Sequence, residues 1–333
     1  MISRVNYMDL SLTDEKILEI FSKISAERLI FFDIETTGLS WKNAMVFLIG
    51  VLYKRDGRWQ MEQWFLDDPS AEKELLVRSC SALAEGTCLI HYNGKQFDLP
   101  FLKGRCQALG VPYAWEACSQ MDLYQILRPY QKLFGLEHLR LADLEGYLGF
   151  HRSSGLSGRK CASVYRKYVL EKQPAQAGLL FDHNREDLTG LLHGIRALAY
   201  PALFSGHFHL EACQMVEDTL SCTLRPDIPL PKPFSLDCHP RPWVISGSGQ
   251  QVRADFALEN GRLKMYHPDH KDHYYLPKED MAVHKSVGAY VDRAHRVQAT
   301  ALTCYTWFPC SLEFMRDLER VEVYVRHCLA LHP

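Results

Sequence analysis

Residues 29–40 read LIFFDIETTGLS, an apolar run that ends in two carboxylates one residue apart, Asp33 and Glu35. Four apolar residues in a row followed by a polar turn describe a buried strand, on which side chains at i and i+2 share a face. Asp33 and Glu35 therefore project together from the strand's end. Two like charges held that close repel unless a cation lies between them. Hard divalent ions take oxygen ligands, so Mg²⁺ or Mn²⁺ is the expected partner. Thr36, Thr37 and Gly38 then turn the chain.

At 333 residues, with 47% hydrophobic and 23% charged residues, the chain is globular and long enough for two domains. No stretch approaches the ~18 uninterrupted apolar residues of a membrane span. The start, MISRVNYMDLSLTDE, lacks the apolar core of a signal peptide. Eleven cysteines occur without a CxxC pair. That usage fits thiols in a reducing, cytoplasmic setting rather than a disulfide frame or a zinc site. The net charge of −2 supplies no general attraction for nucleic acid, so phosphate binding has to come from local patches and metals.

Apolar periodicity predicts a short helix over 11–26, a strand over 28–35, and strands over 45–53 and 59–66 joined at Asp56-Gly57, a hairpin signal. Asp68-Pro69 opens a helix that ends near 85–86. A strand follows over 87–92, then helices near 97–109, 121–130, 138–148, 159–170 and 185–200. Three strands, a helix, a strand and then mostly helices predict an α/β fold: a mixed β-sheet flanked by helices. If strands 28–35 and 87–92 are neighbours, their polar ends form one acidic pocket. Pro201, Ser205-Gly206 and the Pro-rich stretch 226–242 mark a boundary. The expected organisation is an N-terminal extension over 1–26, a main domain over 27–204 and a smaller α+β domain over 205–333. In the latter, Asn260-Gly261 predicts a hairpin and residues 311–331 a last helix.

Two further segments carry acids. Residues 91–98, HYNGKQFD, place Asp98 just past a strand beside Phe97, with Asn93 before them. In HNRED, residues 183–187, His183 and Asp187 stand at i and i+4, on one helical face. Taken together with Asp33-Ile34-Glu35, these segments resemble the DEDD superfamily of 3′→5′ exonucleases, whose core is ribonuclease H-like. That superfamily has an Asp-x-Glu motif, an Asn-x(3)-aromatic-Asp motif, and a Tyr or His paired with a final Asp. Here Asp33 and Glu35, then Asn93, Phe97 and Asp98, then His183 and Asp187 occur in that order. FDIETTGLS, YNGKQFDLPFL (92–102) and MDLYQILRPY (121–130) resemble the YprB-type subgroup in particular. The resemblance spans about residues 27–200. One spacing departs from it, because the His branch sets its His five residues before the last Asp, whereas four separate His183 and Asp187.

The resemblance implies a metal-dependent 3′→5′ exonuclease acting on nucleic acid, DNA or RNA, at a single-stranded 3′ end. It assigns Asp33, Glu35, Asp98 and Asp187 as ligands of two divalent ions, with His183 as general base. Thr36, Thr37, Gly38 and Leu39 would line the slot for the terminal nucleotide, and Asn93 would touch substrate or orient its motif. Asp122 reads as a structural acid. A structure-selective endonuclease, or a non-catalytic nucleic-acid-binding protein on the same fold, are the alternatives. Arg152, Arg159, Lys160, Arg166 and Lys167 form a basic stretch able to track a phosphate backbone or simply face solvent. His267, His270 and His273 recur at threes in a polar loop that enforces no metal geometry.

Overall fold

A computed structural model describes residues 1–153 and 155–331. The chain divides into two compact units, Met1–Leu198 and Ala199–Pro333.

The first unit is built on a six-stranded sheet: β1 (Ile2–Met8), β2 (Leu29–Thr36), β3 (Val46–Arg55), β4 (Arg58–Phe65), β5 (Cys88–His91) and β6 (Ser119–Asp122). Its order is β1-β4-β3-β2-β5-β6. β1 to β4 pair antiparallel, whereas β5 and β6 run parallel to β2. The sheet is thus mixed, and β2 and β5 are neighbours, as the acidic-pocket argument required. The helices are α1 (Leu12–Ser22), α2 (Glu72–Ala84), α3 (Asp98–Leu109), α4 (Leu123–Leu127), α5 (Leu141–Leu148), α6 (Gly158–Glu171) and α7 (Pro174–Gly194).

The period of two along the strands sorts the faces. Asp33 pairs with Gly50, which pairs with Gln63. Gln63 donates to the Phe181 carbonyl O (2.9 Å) and to Asn184 Oδ1 (2.8 Å), so this face carries α7. Trp64 points to the opposite face, where Arg78 of α2 lies over its ring at 5.6 Å. The core is continuous and aliphatic-aromatic, with Phe32, Leu48, Ile49, Phe65, Leu76, Leu102 and Phe181 all buried. Where β2 and β3 meet beside Glu35, the register slips by one residue. Phe47 is the extra residue, and its ring stacks on Tyr165 of α6 at 4.2 Å. Such a bulge re-aims neighbouring side chains at a strand end.

Three departures from the sequence reading are local. Residues 1–26 include an edge strand, β1, in addition to the expected helix. The segment 119–122 is a strand rather than the start of a helix, because it lies against β5 and is completed by pairing. The last long helix of the unit begins at Pro174, well before 185.

The second unit is richer in strand than the expected α+β description. After α8 (Ala199–Phe204), a five-stranded antiparallel sheet forms from Phe208–Val216, Thr219–Pro226, Leu230–Asp237, Trp243–Gly249 and Gln251–Ala257. Arg262–Tyr266 pairs with Tyr305–Pro309, and His273–Leu276 pairs with Met281–His284 and Val297–Gln298. Asn260 and Gly261 do make a tight turn at positive φ. The strands on either side of it enter different sheets, however, joined only by the bridge Glu259–Arg262, so this is no regular hairpin. The expected last helix is two, Leu312–Arg316 and Leu318–Ala330.

Candidate active site

The strand end positions the first two acids. Asp33 and Glu35 project from β2 toward α7. That helix approaches closely because residue 50 on β3 is glycine: a Cβ there would lie 2.2 Å from Asn184 Oδ1 and 2.7 Å from Leu188 Cδ1. Asn184 Nδ2 donates to Asp33 Oδ2 at 2.8 Å. One turn of α7 then carries His183 and Asp187 onto the same patch. His183 Nε2 lies 3.4 Å from Glu35 Oε1 and 3.3 Å from Asp187 Oδ2. Asp33, Glu35 and Asp187 each offer an oxygen within 4.8 Å of the others.

Asp98 opens α3 at the end of the loop that follows β5. It stands outside that tight trio, yet its charge is felt by Asp33 and Glu35, and Asp187 is felt by Asp98. The loop before it is pinned from beneath. Asn93, at φ 58°, donates its N–H to Asp122 Oδ1 (2.8 Å), and the Gly94 N–H donates to Nδ1 of the buried His91 (3.1 Å). Asp122 also caps α4 by accepting from the Tyr124 N–H at 3.1 Å. It is a structural acid, holding the loop that delivers Asp98.

The electrostatics fit a site that could hold cations. Burial, reinforced by the neighbouring acids, pushes the Asp33 and Glu35 carboxyls far above the usual range. Burial also lifts Asp98 from 3.8 to about 7. Oxygen donors in this arrangement suit Mg²⁺ or Mn²⁺. Glu35, Cys161 and His183 form a second, mixed group within the same reach. Burial raises the Cys161 thiol well above its ordinary value, which disfavours the thiolate that a softer metal would need. The residues therefore fit hard divalent ions.

One cation is already built in. Arg152 Nε and Nη2 donate to Glu145 at 2.6 and 2.8 Å, and Nη1 lies 2.7 Å from Asp187 Oδ1. The pair depends on Gly190 of α7, where a Cβ would fall 1.6 Å from Glu145 Oε1. Bound in this way, Arg152 is committed to the acids rather than to the basic stretch the sequence placed it in. Glu145, Asn184 and Gln63 also escaped the sequence reading. An Asn beside the HNRED histidine was the only signal for any of them.

Thr36 to Leu39 continue directly from the acids. Thr36 Oγ1 donates to the Gly38 carbonyl O at 2.8 Å, and Thr37 Oγ1 accepts the Met45 N–H at 3.0 Å. These hydroxyls shape the loop. Leu39 is 88% exposed, an apolar side chain left in water at the edge of the acid-bearing strand. His267 and His273 stack in parallel at 5.5 Å, but among the described residues the second unit's histidines form no group of metal-binding size.

A family model, described as the RNase H superfamily, matches residues 30–198, half of the chain and the whole of this site. The chain belongs to the RNase H superfamily. The family's fold is the mixed, helix-flanked sheet described above. Among curated proteins, the chain is similar to the uncharacterized protein YprB of Bacillus subtilis, at 26% identity over 168 residues. That match covers 49% of this chain and 40% of the relative, so less than half of the relative's length is represented here. Solved structures similar to it include the family B DNA polymerase of Pyrobaculum calidifontis (TM-score 0.44, 19% identity, 53% of this chain and 25% of that one). Another is product-bound exonuclease I (TM-score 0.32, 13% identity, 91% of this chain and 70% of that one). No helix among the described residues is long and apolar enough to cross a membrane.

Proposed function

We propose that the first unit is a metal-dependent 3′→5′ exonuclease that hydrolyses phosphodiester bonds at a single-stranded end of nucleic acid. The observation that carries this reading is the convergence of Asp33, Glu35 and Asp187 within 4.8 Å, with Asp98 electrostatically joined to them. Asp33, Glu35, Asp98 and Asp187 would hold a pair of Mg²⁺ or Mn²⁺ ions. When bound, such ions activate the attacking water and stabilise the leaving 3′ oxygen.

The chain's own residues do the rest. His183 Nε2 takes the proton of the attacking water. It lies between Glu35 Oε1, at 3.4 Å, and Asp187 Oδ2, at 3.3 Å, within reach of a water held by the cluster. The four-residue spacing to Asp187 is compatible with this role, because i and i+4 meet on one helical face. Arg152, anchored by Glu145, fixes Asp187 through Oδ1 and leaves Oδ2 facing the cluster. Thr36 to Leu39 form the rim at which the terminal nucleotide rests, and Asn93 orders the loop that brings Asp98 in.

The test is cleavage of a 5′-labelled single strand in Mn²⁺. Stepwise loss of single nucleotides from the 3′ end is expected for the wild type, and loss of at least about a thousandfold in rate for Asp187→Asn and Asp33→Asn. Internal fragments would indicate an endonuclease. Full activity in either variant would overturn the residue assignment.

A further inference from the structure

Beside the acidic site lies a groove of about 540 Å³ that shares Thr37 with the rim assigned above to the terminal nucleotide and whose other residues no step above uses. It runs between the loop after β2 and helix α6. Its apolar floor is Ala44, Met45 and Val169, all partly shielded, with the buried Tyr165; Arg105 also lines it, partly shielded, and Lys42 and Arg166 are its exposed cations. Among the described residues, no acid lines it, in a chain whose net charge is −2. Arg105 is already paired with the buried Glu72, which leaves Lys42 and Arg166 as its uncompensated charges.

The loop that presents Lys42 is anchored. The Trp41 ring sits so close to Gly104 that a Cβ there would fall 2.3 Å from it, and Arg105 Nη1 donates to the Trp41 carbonyl O at 3.1 Å. Arg166 Nη1 donates to the Thr37 carbonyl O at 3.3 Å, which ties α6 to the loop that follows the acids. Helix α6 itself connects the two places. Cys161 lies with Glu35 and His183, and Tyr165 and Val169, one and two turns on, line the groove. At 1.5 Å per residue the groove begins about 6 Å along the helix from the acids and extends to about 12 Å.

We infer that this groove binds the nucleotides on the 5′ side of the cleaved bond, with Lys42 and Arg166 on backbone phosphates and the apolar floor under an unstacked base. The inference rests on the exonuclease reading for its polarity. Its charge complementarity and its volume, which falls within the range of small-molecule sites, stand on the groove alone. A base lying on an apolar floor has left its stack, so the occupant is a single strand.

The experiment is fluorescence anisotropy of labelled oligothymidylate and oligouridylate with the full chain, in Ca²⁺ and over a range of salt. The double variant Lys42→Ala, Arg166→Ala is compared with Arg28→Ala, Arg58→Ala. The latter removes the same charge from exposed positions at the opposite end of β2. The groove variant is expected to bind on the order of tenfold more weakly, with a slope of log affinity against log salt shallower by about 1.4, about 0.7 for each phosphate contact on a single strand. The control pair is expected to bind like the wild type. Loss for both oligonucleotides supports recognition of the shared phosphate backbone, and loss for one identifies the backbone the groove takes. Unchanged binding in the groove variant, or equal loss in the control, overturns the inference. Because binding is read without cleavage, a protein that binds here but never cuts would sink the exonuclease reading and with it the polarity, and leave the groove as a single-strand binding site.

Discussion

A carboxyl whose pKa rises on folding opposes folding once the unfolded chain would ionise it. Asp98 shifts from 3.8 to about 7, chiefly through burial. Below about pH 4 it is protonated in both states and costs nothing. Between there and about pH 7 the unfolded state gives up its proton while the folded state keeps it, so stability falls as pH rises. One pKa unit is worth about 1.4 kcal/mol. Metal-free wild type is therefore expected to lose several degrees of Tm relative to Asp98→Asn across that window, as thermal melts in EDTA would show. Parallel melting curves would deny that burial holds the Asp98 carboxyl protonated. At this scale much of the site was legible in the sequence. The Asp-x-Glu pair fixes a shared face by strand geometry alone, and His183 and Asp187 do so by helix geometry. Glu145 and Arg152 were not legible. Their pairing is created by a helix–helix contact and a glycine forty-five residues away in sequence, which no local pattern encodes.

Helix α7 is the element on which the site turns, since it carries His183, Asn184 and Asp187 onto the strand that bears Asp33 and Glu35. Its approach is set by Gly50. Gly50→Ala has to push aside Asn184 or Leu188, and overpacking of this kind costs about 1–3 kcal/mol. The variant is expected to show a lower urea midpoint and weaker Mn²⁺ binding together, because the displaced helix takes Asp187 with it. A variant that lost stability but bound Mn²⁺ as before would uncouple the helix from the site. The central strands β2 to β5 were legible because β2, β3 and β5 are apolar runs, β4 alternates apolar with polar residues over most of its length, and turn signals such as Asp56-Gly57 close them. β1 and β6 were not. β1 is almost wholly exposed, and β6 is four residues long, so neither carries a periodic signal and both exist because a neighbouring strand completes their hydrogen bonds. The first half of α7 was hidden for a related reason: its Gly178 and its mixed composition weaken helical patterning, and packing against the sheet compensates.

Across the whole molecule, a charge of −2 and an even spread of acids and bases leave function to local concentrations of charge. The acidic cluster and the cationic groove sit side by side in the first unit. The second unit contributes a strand-rich body in which Asp280 accepts from the Tyr275 and Tyr305 hydroxyls at 2.5 Å and Lys264 lies over the Tyr305 and Trp307 rings. The chain passes from the first unit to the second after Leu198. Its Pro- and Gly-rich signal follows 200, whereas α8 already packs with the second unit's strand Leu230–Asp237, where Tyr200 donates to the Lys232 carbonyl O at 2.8 Å. The central claim concerns the acids and is tested most directly by calorimetric titration of Mn²⁺ into metal-free protein. The wild type is expected to take up a pair of ions per chain, and Asp187→Asn, its circular dichroism unchanged, to lose at least one of them. Absence of Mn²⁺ binding by the wild type, or an Asp187→Asn titration that overlays it, would contradict the account.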